Sequence, residues 1–483
     1  MSTGWALHPD RNLPADPTTR EHARAILDHT LSLPVVAMHG HVEAELLERD
    51  EPFPDPAALL ITPDHYLVRM LVSQRVATVA DLGVPPLPGA AIDAAPAEQD
   101  GRAIWRRFCE GWHLYRGTPT RYWIEHVLVE VFEVTERPSA ETADLLYDHL
   151  LERLARPEYR PRALFERFNI ELLATTDAPE SDLAAHASLH EQGWQQVIPT
   201  FRPDQLLEPL SGRWHRQLSG LAEAADGDTG DYAGYLAAIR QRRDAFIAAG
   251  ARATDHSHLL ADTTPLEEAE AARLYTAALR GELSAAGARA FTAHMLFEMA
   301  RMSADDGLTM QIHHGILRDH DGTMARSYGQ NRGFDIPVAM EFARALRPVL
   351  EAFGHAPGFR LIAFTADETT YSRELAPLAG AYPSLRLGAP WWFLDAPEAM
   401  RRFREATVET AGFYNTSGFV DDTRAFCSIP ARHDLSRRAD ASYLAQLVAE
   451  HRLDLDEAIA TGIDLAYKLP KTSYPPLTAR EES

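Results

Sequence analysis

The chain has 483 residues, and its 47 Lys and Arg against 70 Asp and Glu give a formal net charge of −23 at pH 7. Such an excess of acidic groups argues against a nucleic-acid partner, because the phosphates would be repelled. The two cysteines, Cys109 and Cys427, exclude a disulfide framework and a four-thiolate zinc site, and no apolar run has the ~18 residues that a membrane span needs.

The first predicted helix lies in the segment TTREHARAILDHTLSL, which combines a threonine cap with helical apolar spacing. The residues before it lack the basic-then-apolar layout of a signal peptide. Together with the small number of cysteines, this predicts a cytoplasmic protein.

Short apolar runs that carry or end in a polar residue recur along the chain, and helical stretches such as DYAGYLAAIRQRRDAFIAAG and PEAMRRFREATVETAG separate them. The eight runs lead to His41, Asp177, Arg202, His256, His314, Asp367, Phe393 and Arg424. Strands that alternate with helices pair in parallel. The pattern therefore predicts an α/β fold, a (β/α)8 TIM-type barrel with its reactive groups at the carboxyl ends of the strands.

The gap after the first run is too long for one loop, and it contains helical patterns such as WIEHVLVEVFEV and SAETADLLYDHLLERLA. We therefore predict three parts. Residues 1–41 hold an N-terminal helix and the first barrel strand, residues 42–170 form a helical insertion over the barrel mouth, and residues 171–483 supply the rest of the barrel and the C-terminal helices.

Two histidines separated by one glycine follow the first apolar run. Side chains at positions i and i+2 of a strand face the same side, so His39 and His41 can share a divalent cation. The alternative is a pair of polar residues at a strand end with no ligand. The position at the end of the first strand of a predicted barrel favours the metal.

The last run supplies a carboxylate for the same cation. Asp422 lies at the end of the predicted eighth strand, which is adjacent to the first in a closed barrel, and there it could bind the metal and also move a proton. Asp421 would point to the opposite side of a regular strand. A helix N-cap is the alternative role for Asp422.

The fifth run ends in two adjacent histidines, of which only one can face inward. We assign that position to His313, as a further metal ligand or as a hydrogen-bond donor behind one. Because Lys468 and Lys471 are the only lysines, a carbamylated lysine bridging two metals is not expected. The sequence predicts one divalent metal ion, and histidine with carboxylate suits Zn²⁺, with Mn²⁺, Fe²⁺ and Co²⁺ as alternatives.

Two arginines are candidates for binding an anion at the same site. Arg202, in PTFRPD, and Arg424, two residues after Asp422, each offer a planar fork that matches a carboxylate. A structural ion pair is the alternative for each.

Aromatic residues near these motifs are weaker candidates. His65 and Tyr66 lie in TPDHYLVRM, from which a loop of the insertion could reach the site. Trp391, in PWWF, ends a predicted strand, and core packing is the alternative role for this ring.

The chain resembles the uronate (glucuronate) isomerase family of the amidohydrolase superfamily. The blocks that carry the resemblance run in the family's order from Met38 to Asp434: MHGHVEAE, DHYLVRM, TTDAPE, PTFRPD, TDHSHL, QIHHGILRDHDG, GAPWWFLD, VDDTRAF and ARHD. WWF together with D-[ST]-R-x-F is the most specific part of this set.

The resemblance implies interconversion of an aldose uronate such as D-glucuronate with its ketose, D-fructuronate. It implies His39, His41 and Asp422 as metal ligands and Asp422 with Tyr66 as the pair that moves a proton between C2 and C1. Arg202, Arg424 and Arg432 resemble contacts to the anion and the hydroxyls. The implied partner is a small acidic sugar, and the resemblance suggests a homo-oligomer.

Two alternative functions remain open. A metal-dependent hydrolase or decarboxylase of the same superfamily would act on another sugar acid and would use Asp422 as its base. A barrel that has lost its activity would bind metal poorly. Tyr66, Arg202 and Arg424 favour the isomerase.

Overall fold

Strands and helices alternate along the chain in the computed structural model, which describes residues 4–92 and 95–477. The strands are β1 (Val35–Ala37), β2 (Ile170–Ala174), β3 (Val197–Ile198), β4 (Ala253–His256), β5 (Thr309–His314), β6 (Ile316–Leu317), β7 (Ile336–Pro337), β8 (Leu361–Thr365) and β9 (Leu385–Leu387). Strands β1, β4, β5 and β8 are buried along their whole length, which fits sheets covered on both faces.

The two larger sheets are entirely parallel. One has the order β1-β2-β3 and the other β4-β5-β8-β9, while β6 and β7 form a small antiparallel pair. The sequence prediction of an α/β fold with parallel pairing is confirmed. It did not anticipate the β6–β7 pair, which interrupts the connection from β5 to β8.

Single backbone links join the edges of these sheets. Phe201 forms bridges with both Asp177 and Thr254, so β3 is followed by β4 in space. Leu387 forms a bridge with Thr416, which places the residues after the helix Pro397–Ala411 beside β9. The backbone N–H of Asp422 then donates to the carbonyl of His39 at 3.0 Å, and the next part of the chain lies against β1.

The eighth predicted strand is not formed, and this corrects the regular strand assumed for Asp421 and Asp422. Residues 417–424 have no strand assignment. Gly418 and Asp422 have φ of 77° and 43°, and such left-handed backbone cannot continue an extended ladder.

The seventh predicted strand is shorter than expected. It ends at Leu387, so Trp391 lies beyond the strand, and Trp392–Leu394 form a single 3-10 turn. Pro390, which has no backbone N–H, cannot donate to a ladder and so helps to end the pairing.

Helix α1 (Pro17–Thr30) precedes β1, and its cap differs from the threonine predicted. The carboxylate of Asp16 accepts the backbone N–H of Thr19 at 2.8 Å, because the helix already begins at Pro17, whose ring suits the first helical position. Seven helices lie between β1 and β2: α2 (Ala44–Arg49), α3 (Pro56–Leu60), α4 (His65–Ser73), α5 (Gly101–Glu110), α6 (Pro119–His126), α7 (Ala143–Leu154) and α8 (Pro161–Arg167).

The remaining helices follow β2. They are α9 (Ala184–Glu191), α10 (Asp204–Leu207), α11 (Trp214–Ala224), α12 (Tyr232–Ala248), α13 (Glu268–Leu279), α14 (Ala285–Asp306), α15 (Gly322–Tyr328), α16 (Arg347–Phe353), α17 (Ala376–Ala381), α18 (Pro397–Ala411), α19 (Ile429–Ala449), α20 (Leu455–Ile463) and α21 (Leu469–Ser473). Short 3-10 and π-helical turns also occur at Ala80–Leu82, Trp112–Tyr115, Val127–Val131, Pro157–Tyr159, Tyr371–Leu375, Phe426–Ser428 and Asp464–Lys468. Among the described residues, no helix is long and apolar enough to cross a membrane.

The helices between β1 and β2 share a core with the sheet. One buried apolar cluster contains Leu67 and Trp105 from these helices together with Val35, Ile170 and Val197 from β1, β2 and β3. Because this surface is buried jointly, the helices are fixed relative to the strand ends beside them.

Candidate active site

A cavity of about 960 Å³ lies at the carboxyl ends of the parallel strands. Its lining includes His41, Asp177, Arg202, His313, Trp391 and Asp422, which come from different strand ends, and also His65 and Tyr66 from α4. The structure therefore brings most of the predicted site residues into one space, although they are distant in sequence.

Two imidazoles converge on one carboxylate at this cavity. Oδ1 of Asp422 lies 3.3 Å from Nε2 of His39 and 3.1 Å from Nε2 of His41. His39 is 4% exposed, so this contact is largely shielded from water. The distances follow from the backbone links between the two segments, which hold Asp422 beside His39 and join the N–H of His41 to the carbonyl of Thr423 at 2.9 Å.

The carboxylate of Asp421, the residue before Asp422, faces away from His39 and His41. Oδ2 of Asp421 lies 3.3 Å from Nε2 of His433 in α19, and its side chain is buried. Asp421 and Asp422 thus point to different partners, although this segment does not form a strand.

A second buried carboxylate lies on the far side of His39. Oδ1 of Asp255 is 2.5 Å from Nε2 of His313 and 3.7 Å from Nδ1 of His39, and Asp255 is fully buried. His39 therefore has one carboxylate near each ring nitrogen. His314 has its Nδ1 2.8 Å from the carbonyl oxygen of His258, on the other side of β5.

The charge states of Asp422 and His41 suit metal ligation. Burial would lower the pKa of His39, but Asp255 and Asp422 raise it above its usual value. Burial alone would raise the pKa of Asp422, but the hydrogen bonds and charges of His39 and His41 hold it well below its usual value. Burial lowers the pKa of His41 to about 4, against a partial opposing effect of Asp422. An ionised carboxylate beside a neutral imidazole is a donor set for a divalent cation.

The atoms also fit such an ion in space. The ligand atoms of His39, His41 and Asp422 all lie within 4.8 Å of one another, and those of His39, Asp255 and His313 form a second group of the same kind. The first group is a candidate metal site at the cavity. His313 belongs to the second group, with Asp255 between it and His39.

Arg202 is held by two carboxylates. Its Nε donates to Oδ2 of Asp204 at 2.9 Å, and its Nη1 lies 3.2 Å from Oδ2 of Asp255. Burial would lower the pKa of Arg202, but these two carboxylates raise it above its usual value. The ion pair considered from the sequence is therefore present. Asp204 and Asp255 neutralise the charge of Arg202, whose other N–H groups lie at the cavity.

Arg424 is the contrasting case. It lines the same cavity, and it makes no hydrogen bond or salt bridge with another residue in the described part of the chain. Burial lowers the pKa of Arg424, and the nearby charge of Asp422 partly offsets this. Its guanidinium is available to an anion that enters the cavity.

Helix α4 places His65 and Tyr66 at the cavity wall. Asp64 caps this helix, with its Oδ1 accepting the backbone N–H of Tyr66 at 2.8 Å. The rings of His65 and Tyr66 stack at 4.3 Å between centroids, and Tyr66 packs edge-on against Trp123 at 5.3 Å. Burial raises the pKa of Tyr66 well above its usual value, so its hydroxyl stays protonated.

Arg432 lies beneath Tyr66 at the start of α19. Its Nη1 donates to Oδ2 of Asp395 at 2.7 Å, and its guanidinium lies 5.4 Å from the ring centroid of Tyr66 and 3.8 Å from that of Trp123. It is 2% exposed and borders the cavity. Arg432 is therefore paired with Asp395 and packs against the ring of Tyr66. These contacts are additional to any contact that it makes with a ligand.

Trp391 lies over His313, with 4.8 Å between ring centroids. It is 3% exposed, and its indole N–H is buried without a hydrogen-bond partner among the described residues. The ring of Trp391 is therefore packed in the core and also forms part of the cavity wall.

Sequence reasoning missed Asp255, Asp204 and Asp395. The TDH motif contains Asp255, but alternation alone does not say whether Asp255 or His256 faces the site. In the structure His256 has its Nε2 3.0 Å from Oγ1 of Thr254 and lies away from His39. Asp204 could have been noticed in PTFRPD, two residues after Arg202, and Asp395 as the last residue of GAPWWFLD.

Comparison with known proteins agrees with this geometry. The family model described as glucuronate isomerase matches residues 18–473. A uronate isomerase of Rhizobium meliloti is 52% identical over 469 residues, covering 97% of this chain and 99% of that protein. A uronate isomerase of Phenylobacterium zucineum is 51% identical over 475 residues, 98% of each chain. The crystal structure of glucuronate isomerase from Caulobacter crescentus has a TM-score of 0.94 and 47% identity, covering 97% of each chain.

Proposed function

This chain belongs to the glucuronate isomerase family and is an aldose–ketose isomerase of uronates, and we propose that it converts D-glucuronate to D-fructuronate by proton transfer at Asp422. The resemblance seen in the sequence is thereby confirmed. The observation that carries the proposal is the contact of one carboxylate oxygen with both His39 and His41. It lies at the wall of a cavity that also holds the guanidinium of Arg424, which has no partner among the described residues.

One divalent cation would be held by His39, His41 and Asp422. Zn²⁺ suits two imidazoles and a carboxylate, and Mn²⁺, Fe²⁺ or Co²⁺ could occupy the same donors. When bound, such an ion polarises a substrate oxygen and stabilises negative charge on it. His313 acts through Asp255, which lies between it and His39 and can keep the His39 ring in one orientation.

Asp422 takes the proton from C2 and returns it to C1, and the proton of the C2 hydroxyl ends on the C1 oxygen, so that C2 becomes the ketone and C1 the alcohol. The two carbons are neighbours, so one base can serve both transfers. Tyr66, whose hydroxyl stays protonated, can donate a hydrogen bond to the oxygen that gains negative charge. His65, stacked on Tyr66, and Trp391 shape the wall against which the sugar lies.

Arginines hold the acidic sugar. Arg424 binds the carboxylate, because it has no carboxylate partner within the described residues. Arg202 and Arg432, already paired with Asp204 and Asp395, contact hydroxyls with their remaining N–H groups. The substrate is a small sugar acid, and neither nucleic acid nor membrane takes part.

The fold that we propose is a (β/α)8 TIM-type barrel with a helical insertion. Support comes from the bridges of Phe201 and Leu387 and from the hydrogen bond between Asp422 and His39, which link neighbouring segments around a ring. Residues 42–170 form the insertion over the barrel mouth, between residues 1–41 and 171–483. The two unpaired cysteines accord with a cytoplasmic enzyme, and a homo-oligomer remains part of the proposal.

The test is turnover of D-glucuronate by protein reconstituted with Zn²⁺, followed by NMR for the ketose. Asp422→Asn should lower kcat by roughly 10²–10⁴-fold, since the proton loses its acceptor. Asp421→Asn is the matched control and should keep kcat within a few-fold. Normal turnover by Asp422→Asn would overturn the assignment of the base. Water-dependent cleavage of amides or lactones in place of ketose formation would favour the hydrolase alternative.

A further inference from the structure

A second cavity, of about 450 Å³, lies at the amino ends of β1 and β2 and so at the opposite end of the strands from Asp422. Val35, the first residue of β1, and Asn169, which directly precedes β2, are part of its wall. Helix α19 contributes Asp434, Arg437 and Arg438. We call it the lower cavity.

The lower cavity is rich in positive charge. Its charged lining consists of Arg11, Arg167, Arg437 and Arg438 against Glu130 and Asp434, which is a formal charge of 4 − 2 = +2. The chain as a whole carries −23. Asp434 is used internally, because it accepts from Arg11 at 2.8 Å and from Arg438 at 3.0 Å.

Two of these arginines lack a carboxylate partner in the described part of the chain. Arg437 is 7% exposed, and its Nη1 and Nη2 donate only to the carbonyls of Leu31 at 2.8 Å and Pro34 at 3.0 Å. Its Nε–H is buried with no partner. Arg167 donates to the carbonyl of Glu130 at 3.0 Å. The charge of Asp434 acts on Arg437 without a hydrogen bond between them. A buried guanidinium without a hydrogen-bonded carboxylate is costly, so this arrangement is suited to an anion from outside the chain.

We propose that the lower cavity binds a small oxyanion, a carboxylate or phosphate group, between Arg437 and Arg167. The Nε–H of Arg437, which has no partner among the described residues, supplies one charged donor, and the exposed guanidinium of Arg167 supplies the other. The volume is large enough for a phosphate ester or a sugar acid. No residue of this cavity takes part in the proposed isomerisation, so the proposal stands apart from it.

The test is calorimetric titration of the full-length protein with inorganic phosphate and, separately, with D-glucuronate. Saturable binding should be weakened at least about 10-fold by Arg437→Met and by Arg167→Gln, in line with loss of a charge-assisted bond. Arg289→Gln, which removes an exposed arginine of α14, should leave the affinity unchanged. Arg424→Met should leave the affinity for phosphate unchanged, but it should remove the D-glucuronate binding that belongs to the catalytic cavity. Arg167→Gln, at an exposed position, decides the case if Arg437→Met fails to fold.

Each outcome has a meaning. Tighter binding of phosphate identifies a phosphate site, and binding of D-glucuronate that survives Arg424→Met identifies a second sugar-acid site. Binding that is lost in Arg424→Met and kept in Arg437→Met and Arg167→Gln would overturn the proposal, because the anion would then lie in the catalytic cavity. Absence of saturable binding for both anions would also overturn it.

Discussion

Tyr66 shows how a single hydroxyl can be isolated for testing. Its ring is fixed by His65, Trp123 and Arg432, and these contacts do not involve the hydroxyl. Tyr66→Phe should therefore keep stability and lower kcat by roughly 10²-fold if the hydroxyl assists proton transfer. Steady-state kinetics with D-glucuronate measures this. Tyr115→Phe is the control: it loses a buried hydrogen bond to the carbonyl of Leu67 and should cost about 1 kcal/mol of stability with kcat nearly unchanged. An unaltered kcat for Tyr66→Phe would remove the hydroxyl from the mechanism.

Asp255 contacts several residues of the site, although the sequence pattern did not single it out as a site residue. One buried carboxylate contacts His39, His313 and Arg202. Asp255→Asn keeps the volume and removes the charge, so the affinity for Zn²⁺ should fall by about 10- to 100-fold, as for other groups that orient a metal ligand. Competition with a chelator measures this. Asp204→Asn, which also faces Arg202 but not His39, should leave Zn²⁺ affinity unchanged and raise KM. Equal Zn²⁺ affinity in both variants would contradict the role given to Asp255.

At the scale of elements, helix α19 contacts both the N-terminal segment and helix α6. Asp434 in this helix accepts from Arg11 near the N-terminus at 2.8 Å and from Tyr122 of α6 at 2.6 Å, and it is also paired with Arg438. Burial would raise the pKa of Asp434, but its hydrogen bonds and the neighbouring arginines lower it below its usual value.

Removal of this carboxylate would leave buried positive charge without its partner. Asp434→Ala should lower the free energy of unfolding by about 3–5 kcal/mol, the usual cost of breaking a buried ion pair. Urea denaturation measures the loss. Glu450→Ala, at the exposed end of the same helix, should change stability by less than about 0.5 kcal/mol. A similar small change for Asp434→Ala would show that α19 is held by its apolar contacts alone.

At the scale of the whole molecule, buried titratable groups set the dependence of stability on pH. Burial is the largest cause in every case, and the resulting folded-state pKa values are about 4 for His41, about 3 for His65, about 4 for His186, about 3 for His314, about 6 for Asp177 and about 7 for Asp395.

As the pH falls, the four histidines and the two carboxyls change the stability of the folded state in opposite directions. Each histidine has an unfolded pKa near 6.5, so its contribution is complete above that pH and is lost as the pH falls toward 4. Asp177 and Asp395 bind protons more readily when folded, so acid favours the folded state at these two sites. Four sites outweigh two, and each proton of difference is worth about 1.4 kcal/mol per pH unit.

The Tm of chelator-treated protein should therefore fall between pH 7 and pH 5. Thermal unfolding followed at intervals of half a pH unit measures this. His186→Gln removes one of the four histidines at a distance from the proposed metal ligands and should make the fall less steep. A Tm that is constant or rises toward pH 5 would mean that the two carboxyls dominate.

The sequence by itself determined the local features of this protein. The alternation of apolar runs with helical patterns predicted parallel strands, and the long gap predicted helices between β1 and β2. The spacing of the two histidines of HGH predicted that they share a side, and the predicted barrel placed them near a late aspartate. Both contact Asp422 in the structure, although β1 ends at Ala37. These properties depend on periodicity along one segment, which the order of residues already contains.

Only the tertiary structure decided what each side chain faces. It placed Asp255 between His39 and His313 and paired Arg202 with two carboxylates, while Arg424 has no carboxylate partner within residues 4–92 and 95–477. It also replaced the eighth strand with irregular chain in which Asp422 has left-handed backbone. Periodicity states which residues share a face, but a contact across space depends on how distant segments pack and on which charges burial brings together, and that information belongs to the folded chain as a whole.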